Sequence, residues 1–218
     1  IKIGVIGGGP AGMMAAYAAS LNKDTEVTLI ERNEKLGKKL YITGKGRCNI
    51  TNSKDIESLM DNIVTNRNFT YSCLYTLTNE DLINLLKENG LKTKVERGGR
   101  VFPVSDKSSD VIKTIEKMLI NNRVNIRLNT HVKEIIQTDT LFNLVSNHGN
   151  FNFDKLIIAT GGKSYPVTGS TGDGYNFVKK LGHHIIDLRP SLVPISLKDD
   201  WIPKLMGVSL KNVALNLS

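Results

Sequence analysis

The sequence predicts an α/β fold with a central parallel sheet, and three observations predict it. First, residues 2–6 are a short apolar run rich in β-branched side chains. An Ala- and Met-rich stretch at 10–21 and a second apolar run at 27–30 follow. Strand, helix and strand in about thirty residues is the size of a βαβ unit. Second, strand patterns recur at 132–137, 141–145 and 151–153, separated by short polar turns, as in an antiparallel meander. Third, a further short apolar run stands at 155–159, followed by a glycine-rich loop from 161 to 174.

The remaining elements follow in order. Residues 36–52 are rich in Gly, Lys and Asn and read as irregular with room for one helical turn. A helix is expected at 55–64. A clearer one is expected at 79–89, with Asn79 as its N-cap and Gly90 past its end. Residues 95–102 read as a strand pair broken by Gly98 and Gly99. The apolar spacing of Val111, Ile112, Ile115, Met118 and Leu119 predicts an amphipathic helix over 109–121, then a strand at 124–128. Residues 175–181 read as a helix stopped by Gly182, with Asp173 as its N-cap, and 184–188 as a strand. Pro190 and Pro194 mark a change, after which 208–217 alternates apolar and polar residues like a half-buried strand. The chain begins on Ile1 and ends on that strand pattern, so a piece of a longer protein is expected.

At 218 residues the chain can bury a sizeable core without disulfides or metals. No stretch of eighteen residues is apolar, so no membrane span is expected. Cys48 and Cys73 are the two cysteines, far apart and outside any CxxC pair. They suggest neither a disulfide framework nor a zinc site, and suit a reducing cytoplasm. The net charge of +8 raises the question of nucleic acid. The lysines are spread along the chain rather than gathered in blocks, which favours a solvated basic surface. His131, His148, His183 and His184 have no metal-ligand spacing, and no Ser-His-Asp arrangement can be argued.

Residues 7–12 read GGGPAG, and Gly7, Gly9 and Gly12 fit the dinucleotide fingerprint of Rossmann-type folds. The first glycine permits the tight strand-to-helix turn. The second leaves room for a pyrophosphate against the backbone, and the third lets helix and strand pack closely. A helix opening at Pro10 and Ala11 aims its free N–H groups and positive dipole end at those phosphates. The second strand ends in Glu31, nineteen residues after Gly12, close to the position of a carboxylate that accepts from ribose hydroxyls.

The fingerprint alone does not choose between FAD and NAD. The order of strand, glycine turn, helix, acidic strand end, meander and IIATGG (157–162) resembles the glutathione reductase-type FAD-binding fold. That resemblance implies FAD. It places Ala159, Thr160, Gly161 and Gly162 close to the cofactor and the backbone of Val132 beside the adenine. Longer motifs are more specific: GKKLYITGKGRCNITN (37–52), GGRVFPVSDKSSDV (98–111), ATGGKSYPVTGSTGDGY (159–175) and LRPSLVPI (188–195). They resemble a family of bacterial NAD(P)/FAD-dependent oxidoreductases with aminoacetone oxidase-type and bile-acid dienone reductase-type members. Members of that family are nearly twice this length, and C-terminal sequence completes their FAD domain. The resemblance therefore implies an FAD domain over 1–190, incomplete on its own and inactive as a fragment, and the start of an inserted β-rich domain over 191–218.

In that family the loop holding Gly44, Gly46, Arg47, Cys48 and Asn49 runs along the cofactor. Glycines let backbone N–H groups converge on an anion that Arg47 neutralises. Cys48 could serve as a thiolate near the flavin, but a small buried residue packing beside it is the favoured reading. Arg32 and Lys39 are candidates for contacts to the adenosine ribose or phosphates. No catalytic side chain is assigned, because a flavin carries the hydride chemistry and the protein positions it. The expected function is an FAD-dependent oxidoreductase acting on a small molecule, with NAD(P)H or O₂ resetting the flavin. The alternatives are a flavin or nucleotide binder without turnover, such as a sensor or RNA-associated factor, and an NAD(H) dehydrogenase using the first βαβ unit.

Overall fold

The structure is a computed structural model that describes residues 1–189, 200–209 and 213–214. Two compact units divide it, Ile1–His184 and Ile185–Ser218. In the first unit β1 (Lys2–Ile6), α1 (Pro10–Ser20) and β2 (Glu26–Ile30) form the expected βαβ unit. Then come β3 (Thr51–Asn52), α2 (Ile56–Met60), α3 (Tyr71–Thr76), α4 (Asn79–Glu88), β4 (Thr93–Glu96) and β5 (Arg100–Pro103). The unit closes with α5 (Ser108–Asn121), β6 (Asn125–Arg127), β7 (Val132–Gln137), β8 (Phe142–Ser146), β9 (Gly149–Phe153), β10 (Lys155–Ile158) and α6 (Asp173–Lys180).

The central sheet has the order β10-β1-β2-β6, and all its pairs are parallel. Successive residues of a strand face opposite sides of its sheet, and here both sides are covered. Val5 and Leu29 face one side and pack with Met13 and Ala16 of α1 and Ile115, Met118 and Leu119 of α5. Ile6 and Ile30 face the other, against Val132, Ile135, Leu144 and Phe153 of the meander and Phe177 of α6. Each such fully buried aliphatic side chain contributes about 1.5–3 kcal/mol relative to exposure. The meander β7-β8-β9 is antiparallel, and a third sheet has the order β3-β5-β4, with β5 against α5.

Three expectations are corrected. The N-cap of α4 is Thr78, not Asn79: the Thr78 hydroxyl accepts from Asp81 N at 3.0 Å, and Thr78 N donates to Asp81 Oδ2 at 2.9 Å. This reciprocal pair satisfies two end donors, whereas Asn79 turns its amide to the carbonyls of Asn52 and Lys54. The helix expected at 55–64 is one short turn over Ile56–Met60, capped by Asp55. Residues 184–188 form no strand: no ladder partner stands beside them among the described residues, and Ile186 is 78% exposed. The strand pattern at 208–217 and the prolines at 190 and 194 lie wholly or largely outside the described residues. In the second unit, the described residues form one 3-10 turn, Ile202–Leu205. No helix of the described residues is long and apolar enough to cross a membrane.

Candidate functional site

The site lies where β1, β2 and β10 end. A cavity of about 260 Å³ opens there, lined by Gly7, Gly9, Pro10 and Ala11 of the first turn, Glu31, Arg32 and Lys39 after β2, Val132, and Ala159, Thr160 and Gly161 after β10. The sequence motifs thus converge at the C-terminal edge of the parallel strands, where open α/β sheets bind ligands.

The glycine turn is built as its spacing implies. Gly7 has φ +109, and its N–H donates to Ile30 O at 2.8 Å, which holds the turn over the sheet. A Cβ at Gly7 would overlap the Ala159 carbonyl, and one at Gly12 would overlap the Gly7 carbonyl. Gly12 does not line the cavity: its role is the close seating of α1 on β1. A Cβ at Gly9 would meet no atom within 4 Å and would stand in open space beside the cavity. The helix begins at Pro10, which has no N–H, and Gly9 offers no side-chain cap. The N–H groups of Ala11 and Gly12 find no acceptor among the described residues, since the first turn's backbone bond runs from Met13 N to Gly9 O. Open space before an uncapped helix N-terminus fits a diphosphate.

Glu31 is the buried charge of the site, 7% exposed. Its Oε2 accepts from Gly8 N at 2.5 Å and its Oε1 from the backbone and side-chain nitrogens of Asn33 at 2.7 and 2.6 Å. Its backbone pairs with the far side of the cavity, where Glu31 N donates to Arg127 O and Thr130 N to Glu31 O. That pairing brings Thr130, His131 and Val132 over the pocket.

The loop after β10 returns along the opposite wall. Arg32 donates to Thr171 Oγ1 at 2.8 Å and Asp173 Oδ2 at 3.0 Å, and Lys39 donates to Ser164 O at 2.8 Å. Burial pushes the Lys39 ammonium below its ordinary pKa. Asp173 is not the N-cap of α6. Gly172, at φ +88, holds that place, and Asp173 turns its carboxylate to Arg32 and, at 3.3 Å, to His131 Nε2. A glycine reaches the left-handed region without strain, which frees the aspartate for the cavity wall.

The 44–49 loop stands elsewhere: none of its residues lines this cavity. Arg47 pairs with Glu96 at 2.8 Å and Asp106 at 3.3 Å and lies 4.0 Å from the centre of the Phe102 ring. Both bonds leave from Nη1, so two carboxylates already stand against the guanidinium charge. The Glu96 hydrogen bond raises its pKa. Gly44, at φ +56, faces Asn49 N and Phe102, while Gly46 at φ +87 and Asn49 face solvent. Cys48 is 1% exposed, and burial pushes its thiol up, as expected of a packing residue rather than a thiolate. Gly162 lies outside the cavity, near Tyr175 Oη.

Sequence reasoning missed Asn33, Lys38, Thr130, His131 and Phe177, which also line the cavity. The signal for Asn33 was its place two residues past the acidic strand end. His131 and Thr130 carried none before the pairing of 128–130 with 31–33 was known. Among the described residues no group of three or more His, Cys, Asp or Glu is placed to hold a metal ion.

The chain is 32% identical over 208 residues to the 3-dehydro-bile acid delta(4,6)-reductase of Clostridium scindens, covering 95% of this chain and 50% of that protein. It is 29% identical over 212 residues to the ribosomal RNA dihydrouridine synthase of Escherichia coli, covering 96% of this chain and 52% of that one. The chain spans about half the length of these relatives. Its fold is similar to the open conformation of a flavocytochrome c3 fumarate reductase, with a TM-score of 0.55, 18% identity, and coverage of 83% of this chain and 40% of that one. A model of the HI0933-like protein Rossmann domain matches residues 1–217, so the resemblance carried by the motifs holds and the chain belongs to that HI0933-like Rossmann-domain family.

Proposed function

We propose that the chain is the cofactor-binding part of an FAD-dependent oxidoreductase that passes a hydride between an organic substrate and flavin N5. The observation that carries this reading is the cavity in which a cleared glycine turn, an uncapped helix N-terminus and the buried Glu31 carboxylate meet. Bound FAD supplies the hydride chemistry. The residues of this chain bind and orient. Ala11, on the cavity wall, presents its N–H group to the diphosphate, and Glu31 accepts from the ribose. Thr130, His131 and Val132 form the wall facing them, and Thr160 and Gly161 bring the end of β10 close. The redox names of two relatives support the class, reductase in one and dihydrouridine synthase in the other. NAD(P)H is the proposed electron donor, and the two free thiols suit a cytoplasmic setting.

The test is the visible spectrum of the full-length protein, followed by anaerobic NADH and NADPH. A flavin spectrum that bleaches supports the reading. A colourless protein that refuses added FAD overturns it.

A second reading concerns the substrate. The E. coli relative is named for ribosomal RNA, and the chain carries a net charge of +8. On this reading the organic substrate is a base within RNA. Binding of an rRNA fragment that weakens steeply with salt supports it. Flavin turnover with a small organic acceptor and no affinity for RNA overturns it.

A further inference from the structure

We propose that Asn33 is a positioning residue for the nucleotide, fixing the Glu31 carboxylate and tying the 161–172 loop across the cavity with the same side chain. The proposal rests on the FAD reading above and adds to it a residue that neither the fingerprint nor the family motifs single out.

The argument is a count of donors and acceptors. The Asn33 amide has two N–H groups and one carbonyl. One N–H donates to Glu31 Oε1 at 2.6 Å and the other to Thr168 O at 3.2 Å, while Oδ1 accepts from Lys38 Nζ at 3.4 Å. Every polar atom of the amide is engaged. An ionised carboxylate offers about four acceptor sites. At Glu31, Oε1 receives both Asn33 donors and Oε2 receives Gly8 N. The acceptor site left over is on Oε2, in a residue that lines the cavity. Asn33 therefore decides which oxygen of Glu31 is left for a ribose hydroxyl.

The loop side of the contact is equally specific. Gly169 has φ +98, and a Cβ there would come within 2.6 Å of Asn33 Nδ2, so the loop reaches the amide only with glycine at this place. Arg32 and Lys39 hold the same loop at Thr171 and Ser164. The loop is thus closed over the pocket by three side chains from one segment, of which Asn33 alone also touches Glu31.

The full-length protein is used for the test, with two readouts. FAD release is followed by the return of flavin fluorescence in the presence of excess competing ADP. Loop closure is followed by tryptic cleavage after Lys163, an exposed residue of the loop, in FAD-free protein. Asn33→Ala is expected to speed release about tenfold, the effect of losing a hydrogen bond to a charged group, and to speed cleavage after Lys163. In a Glu31→Gln background the effect of Asn33→Ala on release is expected to shrink severalfold, because the two residues act together. Gly169→Ala approaches the contact from the loop and serves as the second variant should Asn33→Ala fail to fold. It is expected to move both readouts in the same direction. Wild-type rates of release and cleavage in folded variants overturn the proposal and leave the FAD reading standing. Additive effects of Asn33→Ala and Glu31→Gln overturn it likewise. A wild-type protein that binds no FAD overturns the FAD reading, and this proposal with it.

Discussion

Arg47 donates to Glu96 across 2.8 Å while its guanidinium lies over the Phe102 ring, 4.0 Å from the ring centre. Lys94 and Asp106 complete the group, with Lys94 Nζ 2.6 Å from Asp106 Oδ2. The cluster fastens the loop before β3 to the β4–β5 hairpin, so the basic residue of the 44–49 motif holds protein to protein.

A pH dependence follows from this arrangement. The hydrogen bond from Arg47 holds the Glu96 carboxyl below its ordinary value of 4.5, and that from Lys94 holds Asp106 below 3.8. A carboxylate with a depressed pKa in the folded state adds stability above its ordinary pKa and loses it as pH falls through the folded value. Arg47→Met is expected to lower the melting temperature of the FAD-free protein at neutral pH. The gap from wild type should narrow as pH is taken from about 5 to about 3. Thermal unfolding at several pH values and two salt concentrations checks this. High salt should also narrow the gap, since the group is partly exposed. A gap independent of pH would leave only the packing of the guanidinium on Phe102 as the cause.

The two cysteines separate by environment. Cys48 is buried, with its thiol pushed up by burial, and Cys73 is exposed on α3. Thiolate is the reactive form, so burial disfavours Cys48 twice, by blocking access and by raising its thiol, whereas Cys73 is accessible. Iodoacetamide at about pH 8 is expected to modify one thiol in native protein, Cys73, and both in denaturant. Mass spectrometry of the digested protein assigns the sites. Labelling of Cys48 in the native state would reopen its reading as a thiolate at the cofactor.

Much of the parallel sheet and the glycine turn was legible because both follow from local pattern. The run at 2–6, the fingerprint and Glu31 each report on a neighbour within a single βαβ unit. The far wall of the cavity was hidden because it is made by pairing at a distance. Thr130 and His131 reach it through the backbone bond between Thr130 N and Glu31 O, which no spacing in the sequence announces. Arg47 had the right composition for an anion site, but its partners Glu96 and Asp106 lie about fifty and sixty residues away in sequence. Asp173 looked like a cap because aspartate is common there. The glycine before it takes the left-handed conformation more easily and displaced it.

One glycine makes room for the meander against the sheet. Gly4 of β1 faces Phe153 of β9, and a Cβ at Gly4 would lie 2.5 Å from a ring carbon. Phe153 is 4% exposed and belongs to the core between sheet and meander. Gly4→Ala is expected to destabilise by about 1–3 kcal/mol through overpacking, and Phe153→Leu by less than the sum would suggest when the two are combined. The smaller side chain makes room for the new methyl group, so the pair is non-additive. Urea unfolding of both single variants and the double variant measures the coupling. Strict additivity would mean that β9 moves away from β1 at little cost.

Gly9 and Gly12 differ in what surrounds them, which separates folding from binding. At Gly12 an added methyl would run into the Gly7 carbonyl, a backbone atom that cannot turn aside. Gly12→Ala should push α1 off β1, costing about 1–3 kcal/mol or more of stability and weakening FAD binding as a consequence. At Gly9 the methyl would meet nothing within 4 Å, and φ is −75, which any residue adopts. Gly9→Ala should therefore leave the unfolding midpoint of the FAD-free protein close to wild type. Its methyl occupies the space next to the uncapped N-terminus of α1, so FAD affinity is expected to fall about tenfold or more, or about 1.4 kcal/mol. Urea unfolding without FAD and fluorescence titration with FAD give the two numbers. If Gly9→Ala binds FAD like wild type, the diphosphate does not pass in front of α1, and the reading of the glycine turn as its seat is lost.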